Sequence, residues 1–315
     1  MEIRPYLLQA LSPLHAGTGQ TAGIIDLPIA RMRATGIPFV PGSTIKGVMR
    51  ARSRPADESQ DVQERAAHTA VFGPTRDRPG PRGDDALDHA GALVAADARL
   101  LALPVRCFVG TFALVSSPLL LELARRDLAE ARDLAARLPD GIPAVWPHGA
   151  AVAGPCVNVI DGRVFLEELD LSVDVQPVVA AWAELIAGLL PEGERRLITE
   201  RFVVVDDETM AFLWETATQI DTRVRLDDDG VVAEGALWTE ESLPPETLLV
   251  GLLAARASMR RGCDLSAEQI VDWALERGGP VIQLGGKATI GRGRCRLLAW
   301  PSRRATREEG RHAHP

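Results

Sequence analysis

Segments of strand character stand at both ends of this chain, and that placement restricts its fold more than any other feature. Ile3–Leu14 is an apolar run broken by Pro13, while Val281–Leu284 and Arg294–Trp300 supply two strands at the far end. Helical patterns dominate between them. Pro118–Leu138 carries apolar residues at three- and four-residue spacing with Glu/Arg pairs between them, and Val178–Leu190 and Asp207–Thr216 read as further helices. Ser43 reads as the N-cap of a short helix through about Arg52. Ser266-Ala267-Glu268-Gln269 opens another with a capping box, placing Ile270, Trp273 and Ala274 on its apolar face. Leu93–Ala95 and Val105–Leu114 read as strands.

This pattern predicts an α+β fold with a sheet closed by its own termini, as in ferredoxin-like folds. Thr222–Leu226 and Val231–Trp238 flank Asp227-Asp228-Asp229-Gly230, whose Asp-Gly end is a strong hairpin-turn signal. Residues 55–92 are rich in Pro, Gly, Asp and Arg, and Pro79-Gly80-Pro81-Arg82-Gly83 marks them as a loop insertion, mobile or partner-bound. The expectation is one elaborated domain over residues 1–300, a hairpin at about 216–243, and a frayed tail over 301–315. A 46 % hydrophobic content gives such a domain enough apolar material for its core.

Several function classes fall away at once. The four cysteines, Cys107, Cys156, Cys263 and Cys295, form no CxxC pair and suit neither a zinc ribbon nor a secreted disulfide framework. His68, His89 and His148 lack ligand spacing. No secretion signal and no apolar run of membrane-spanning length are visible, so a cytoplasmic protein without membrane contact is expected. The net charge of −8 argues against a nucleic-acid partner until its distribution is considered. Residues 1–55 carry +5 and residues 281–304 carry +6, leaving about −19 on residues 56–280. Basic ends that built one face could hold a polyanion while the acidic middle faces elsewhere.

The only two lysines sit in glycine-bounded turns: Pro41-Gly42-Ser43-Thr44-Ile45-Lys46-Gly47 and Gly285-Gly286-Lys287-Ala288-Thr289-Ile290-Gly291-Arg292-Gly293. Neither is a P-loop, because no Ser or Thr follows the lysine and the glycine spacing is wrong. Such turns bring backbone N–H groups and a cation close to phosphates, which suits contact with a nucleic-acid backbone without base reading. Aromatic residues are only 4 %, with one tyrosine, Tyr6, so stacking on bases can add little. Trp214, Trp238 and Trp273 read as core.

Three consecutive stretches then carry a family likeness: Ser12-Pro13-Leu14-His15-Ala16-Gly17-Thr18-Gly19, Ile25-Asp26-Leu27-Pro28-Ile29-Ala30-Arg31, and Thr35-Gly36-Ile37-Pro38-Phe39-Val40 running into the first lysine turn. Asp97–Leu101, Gly235–Pro244 and Ile282–Gly293 follow in order. The ordered set resembles the RAMP superfamily of CRISPR proteins and, within it, the backbone subunits of type III-B (Cmr) effector complexes. The resemblance implies a modified RRM-like fold with a protruding β-hairpin thumb, copies stacked in a filament along a guide RNA beside other Cmr-complex subunits, and metal-dependent cutting of bound single-stranded target RNA at regular intervals.

RNA is cleaved when a 2′-hydroxyl attacks the adjacent phosphate, which needs a group to take or organise that proton and positive charge for the phosphorane. Asp26 is the only acid between Arg4 and Asp57, flanked by apolar residues with Arg31 and Arg33 beyond. It could hold a divalent cation (Mg or Mn), orient the 2′-hydroxyl or accept its proton; it could equally cap a turn or pair with Arg31. The resemblance puts the family's catalytic aspartate at Asp26 and a histidine at His15, whose role is supporting, structural or guide-contacting. Glu234, Glu240 and Glu241, on the expected thumb, are secondary catalytic candidates. Lys46, Arg50, Gly285, Gly286, Lys287, Arg292 and Arg294 suit guide-backbone contacts. A structural RNA-binding filament subunit that does not cut shares every one of these binding residues and differs only at Asp26.

Overall fold

In the computed structural model, residues 1–17, 19, 25–56, 61–74 and 89–301 are described. Strand β1 (Glu2–Ala10) is buried from Arg4 to Ala10. Its alternate residues enter two different cores: Tyr6, Leu8 and Ala10 lie in one and Leu7 in the other. A strand covered on both faces reads as a continuous apolar run, which is what the N-terminal sequence shows.

The chain continues through β2 (Phe39–Val40), α1 (Gly42–Arg52), α2 (Val62–Phe72), β3 (Leu93–Ala95), β4 (Ala98–Cys107), β5 (Thr111–Ser116), α3 (Pro118–Leu128), α4 (Arg132–Ala135), β6 (Gly149–Val152), β7 (Arg163–Leu166) and β8 (Leu169–Val175). It then forms α5 (Pro177–Ala187), α6 (Arg196–Thr199), β9 (Phe202–Val205), α7 (Asp207–Thr216), β10 (Gln219–Leu226), β11 (Val232–Ser242), β12 (Leu248–Ala255), α8 (Ala267–Gly278), β13 (Val281–Gln283) and β14 (Arg294–Ala299).

Twelve of these strands share one sheet, ordered β13-β14-β1-β12-β4-β5-β9-β6-β8-β7, with β2 also on β4 and β3 on β12. The first strand therefore pairs antiparallel with the last, from Tyr6 opposite Ala299 to Ala10 opposite Cys295. At the other end β7 returns to β4 at Leu166 and Cys107, closing six strands into a ring. One core collects α1 and α8 residues such as Ile45, Met49, Ile270 and Ala274; the other collects Leu121, Ala124, Trp182 and Ile186 from α3 and α5. Strands β10 and β11 form a separate two-stranded hairpin. Among the described residues no helix is long and apolar enough to cross a membrane.

The structure amends the sequence reading in several places. Val105–Leu114 is two strands, because the chain turns at Gly110 and Thr111, both at positive φ. Pro118–Leu138 breaks after Leu128. Its apolar spacing runs on across the break because Leu128, Ala131 and Leu134 enter one core. Ser43 does not cap α1: the helix begins at Gly42, whose N–H donates to Asp97 Oδ1 at 2.8 Å. A Cβ there would stand 2.2 Å from the Ala95 carbonyl oxygen, so the position demands glycine. The 55–92 insertion is not loop throughout. It contains α2, capped by Asp61, with Ala66, Ala70, Val71 and Phe72 buried. The Pro79–Gly83 turn and the tail beyond Pro301 lie outside the described residues.

Candidate active site

Pairing of β1 with β14 brings the loops that follow and precede them together. Leu11 N–H donates to Arg294 O at 2.8 Å, and Gly293 N–H donates to Pro13 O at 2.9 Å. The Gly-Gly-Lys turn then packs on the strand-like stretch ending at His15. Gly285 holds φ +71°, and a Cβ on it would lie 2.1 Å from the His15 carbonyl oxygen, so only glycine permits this approach. The two motifs near the chain ends thus meet in space.

The hairpin completes the site. Leu14 and Leu243 exchange backbone hydrogen bonds at 2.9 Å, while Leu27 N–H donates to Thr239 O at 3.1 Å and Glu241 N–H donates to Leu27 O at 3.0 Å. Residues 25–31 therefore run beside β11. His15 Nδ1 lies 2.7 Å from Glu241 O. A carbonyl only accepts, which assigns the proton to Nδ1 and leaves Nε2 as the basic nitrogen of the neutral ring. Nε2 sits over Gly17, where a Cβ would come within 2.5 Å of it.

Asp26 is exposed, with its carboxylate fastened to the hairpin. Thr239 donates to its Oδ2 twice, from the backbone N–H at 2.8 Å and from the hydroxyl at 2.9 Å, and Asp26 N–H donates to the same hydroxyl at 3.1 Å. The Thr239 N–H, followed by its hydroxyl, holds the carboxyl below the usual carboxylate range. It is an ionised acceptor at neutral pH.

The neighbouring glutamates have other work. Glu241 is only 2 % exposed. Its Oε1 accepts from Arg31 at 2.5 Å and from the Thr218 hydroxyl at 2.9 Å, and its Oε2 from Ile29 N–H at 3.1 Å. It anchors the segment that carries Asp26 and offers no oxygen to RNA. Glu240 is also buried, taking Lys287 Nζ and Trp238 Nε1 on Oε1, with Arg223 at 3.6 Å from Oε2. The side chain of Glu234 lies outside the described residues.

Glu241→Ala should lower unfolding free energy by about 3–5 kcal/mol, because removing one partner of a buried pair strands the others. Urea denaturation measures it; a loss under ~1 kcal/mol would show that the network anchors nothing.

The cations that the sequence assigns to RNA phosphates have protein partners in the fold. Lys287 meets Glu240, while Arg292 is buried between Asp221, at 2.7 Å, and the Ser242 hydroxyl, at 2.9 Å. Burial tends to raise the Asp221 carboxyl, but hydrogen bonds from Arg292 and Gln219 and nearby cationic charge outweigh it and hold the group low. Burial, with Arg223 and Arg292 nearby, lowers the Lys287 ammonium. The positive end segments are thus partly neutralised by acids of the hairpin. On α1, Lys46 donates to Leu93 O at 2.6 Å, and Arg50 donates to Gly73 O and Pro74 O at 3.0 and 3.1 Å. Arg294 is exposed, and a Cβ on Gly286 would meet nothing within 4 Å, so that stretch of turn is open to a ligand.

Among the described residues no group of three or more His, Cys, Asp or Glu side chains could hold a metal ion. Sequence reasoning missed Thr239, Asp221 and Ser242, and it offered Arg31 as a partner of Asp26, whereas Arg31 pairs with Glu241 and Glu215. Thr239 looks like an ordinary strand residue, and only the fold reveals its partner 213 positions away.

Known proteins share this chain's sequence and fold over nearly its whole length. The RAMP superfamily model matches residues 7–296. A CRISPR-system Cmr endoribonuclease, Cmr4, of Pyrococcus furiosus is 29 % identical over 311 residues, covering 97 % of both chains. The crystal structure of oligomeric Cmr4 from the same organism superposes with a TM-score of 0.71 at 23 % identity, over 96 % of this chain and all of that one. A chain of the type III-B Cmr-β assembly bound to cognate target RNA gives 0.71 at 20 % identity, over 95 % and 97 %. At these identities the two structures speak for a shared fold.

Proposed function

This chain belongs to the RAMP superfamily, and on that premise we propose that it is the backbone subunit of a type III-B CRISPR effector complex, cutting target RNA at Asp26. Copies of the chain would stack along a guide RNA with other Cmr-complex subunits and cut complementary single-stranded RNA at regular intervals. The β10–β11 hairpin is the thumb of an RRM-like RAMP fold in this reading. The observation that carries it is Asp26: an exposed, ionised carboxylate held by the same hairpin that His15 and Lys287 of the two glycine-bearing end segments touch. The names of the relatives, an endoribonuclease and an assembly on target RNA, point the same way.

The chemistry follows from the groups present. A carboxyl with a lowered pKa is a weak base, so Asp26 orients the attacking 2′-hydroxyl through Oδ1 more than it removes the proton. Nε2 of His15, which carries no proton in the tautomer set by Glu241 O, can receive one in a supporting role. Arg294 and the backbone N–H groups around Gly286 suit the RNA phosphates. Among the described residues of the site, Asp26 is the exposed carboxylate with an oxygen left for a divalent cation. Asp26 would therefore hold Mg or Mn jointly with RNA phosphates, as Mg commonly binds, and the ion would supply positive charge at the scissile phosphate.

The complex, reconstituted with guide RNA, should cut a labelled complementary RNA into regularly spaced fragments, leave a non-complementary RNA whole, and stop with chelator. Binding of complementary RNA without cutting would instead favour the structural filament subunit. Cutting that persists in chelator would remove the cation alone.

A further inference from the structure

Exposed carboxylates usually exchange their partners with water, yet Asp26 makes three hydrogen bonds with a single residue, accepting two and donating one. The Thr239 hydroxyl accepts from Asp26 N–H and donates to Oδ2, closing a small ring, while Thr239 N–H donates to the same Oδ2. None of the three bonds uses Oδ1. We propose that Thr239 is the positioning residue of the cleavage site: its hydroxyl locks one carboxylate oxygen of Asp26 and leaves the other for the RNA. The proposal rests on the reading of Asp26 as the cutting residue.

The hydroxyl is not needed to dock the segment. Leu27 N–H already donates to Thr239 O and Glu241 N–H to Leu27 O, and Ile29 N–H reaches the Glu241 side chain. Nor is it needed for the strand, where valine would serve as well. What it adds is a fixed side-chain torsion at Asp26. That matters because misplacing a reacting group by about 1 Å can cost ~100-fold in rate. The Glu241 network restrains the main chain of residues 27–31, whereas the Thr239 hydroxyl restrains the carboxylate itself.

The test is single-turnover cutting of labelled complementary RNA by the guide-loaded complex, with target affinity measured separately. Thr239→Val keeps the backbone bond and loses the hydroxyl, so cutting should slow about 10-fold or more at unchanged target affinity. Thr239→Ser should restore the rate to within about 3-fold. Thr239→Val added to Asp26→Ala should slow that variant no further. Thr239→Ala is run in parallel, so that a failure of the valine variant to assemble leaves the question decidable. Wild-type cutting by Thr239→Val or Thr239→Ala, where Asp26→Ala is slow, would overturn the proposal; so would Thr239→Ser cutting as slowly as the valine variant. Full-speed cutting by Asp26→Ala would overturn the underlying reading as well, which separates the two failures.

Discussion

Asp26→Ala should assemble and bind target RNA as the unaltered protein does, while cutting it at least ~100-fold more slowly. The first half follows from exposure. Asp26 lies outside both cores, and its partner Thr239 keeps its backbone pairing with Leu27, so removing the carboxylate leaves no cavity and no buried charge. The second half follows from the site's chemistry. Positioning or moving a proton in the transition state contributes about 10²–10⁴-fold, and among the described residues the neighbouring glutamates of the hairpin are engaged elsewhere. Glu241 is committed to Arg31, Thr218 and Ile29, and Glu240 to Lys287, Trp238 and Arg223. His15→Ala should lose less or nothing, since its supporting role is to receive a proton that solvent can also take. The assay is cleavage of labelled complementary RNA by the reconstituted complex, with assembly followed by gel filtration. Cutting by Asp26→Ala at the unaltered rate would return the chain to the structural class.

The amino-acid sequence carries this site unevenly, for physical reasons. Asp26 stands out as a lone acid among apolar residues, and a strand buried on both faces announces itself as the continuous run of β1. The Ser266 capping box and the helix at Asp207–Thr216 are equally plain, because caps and helical periodicity are local signals. Strands β6 to β9 leave no comparable mark: they are short, and only neighbours distant in sequence define them. The same distance explains the cations. Lys287 and Arg292 look free in the sequence because the acids that neutralise them, Glu240 and Asp221, stand 47 and 71 residues away on the hairpin. Local composition shows where charge lies along the chain. It does not show which charges the fold cancels.

That cancellation alters what the basic ends can do. A surface on which Arg292 is buried and Lys287 is paired attracts RNA less than the counts of +5 and +6 suggest. Under the proposed function, the exposed Arg294 and the open turn at Gly286 would carry more of the contact. An RNA held mainly by such backbone contacts would be read by base pairing with the guide, in keeping with the scarcity of aromatic residues.

Attack of the 2′-hydroxyl on the adjacent scissile phosphate can be put to the test on the substrate itself. A complementary target carrying a single 2′-deoxynucleotide immediately 5′ of one scissile phosphate has lost the nucleophile at that bond and nothing else. The expected result is no measurable cutting there, unchanged cutting at the other regularly spaced positions, and 2′,3′-cyclic phosphate ends on the fragments that form. The loss should be complete, because removing the attacking oxygen leaves no slower version of the same reaction. Cutting at the deoxy position at the rate of its neighbours, with fragments lacking a cyclic phosphate, would mean that water, and not the 2′-hydroxyl, is the nucleophile.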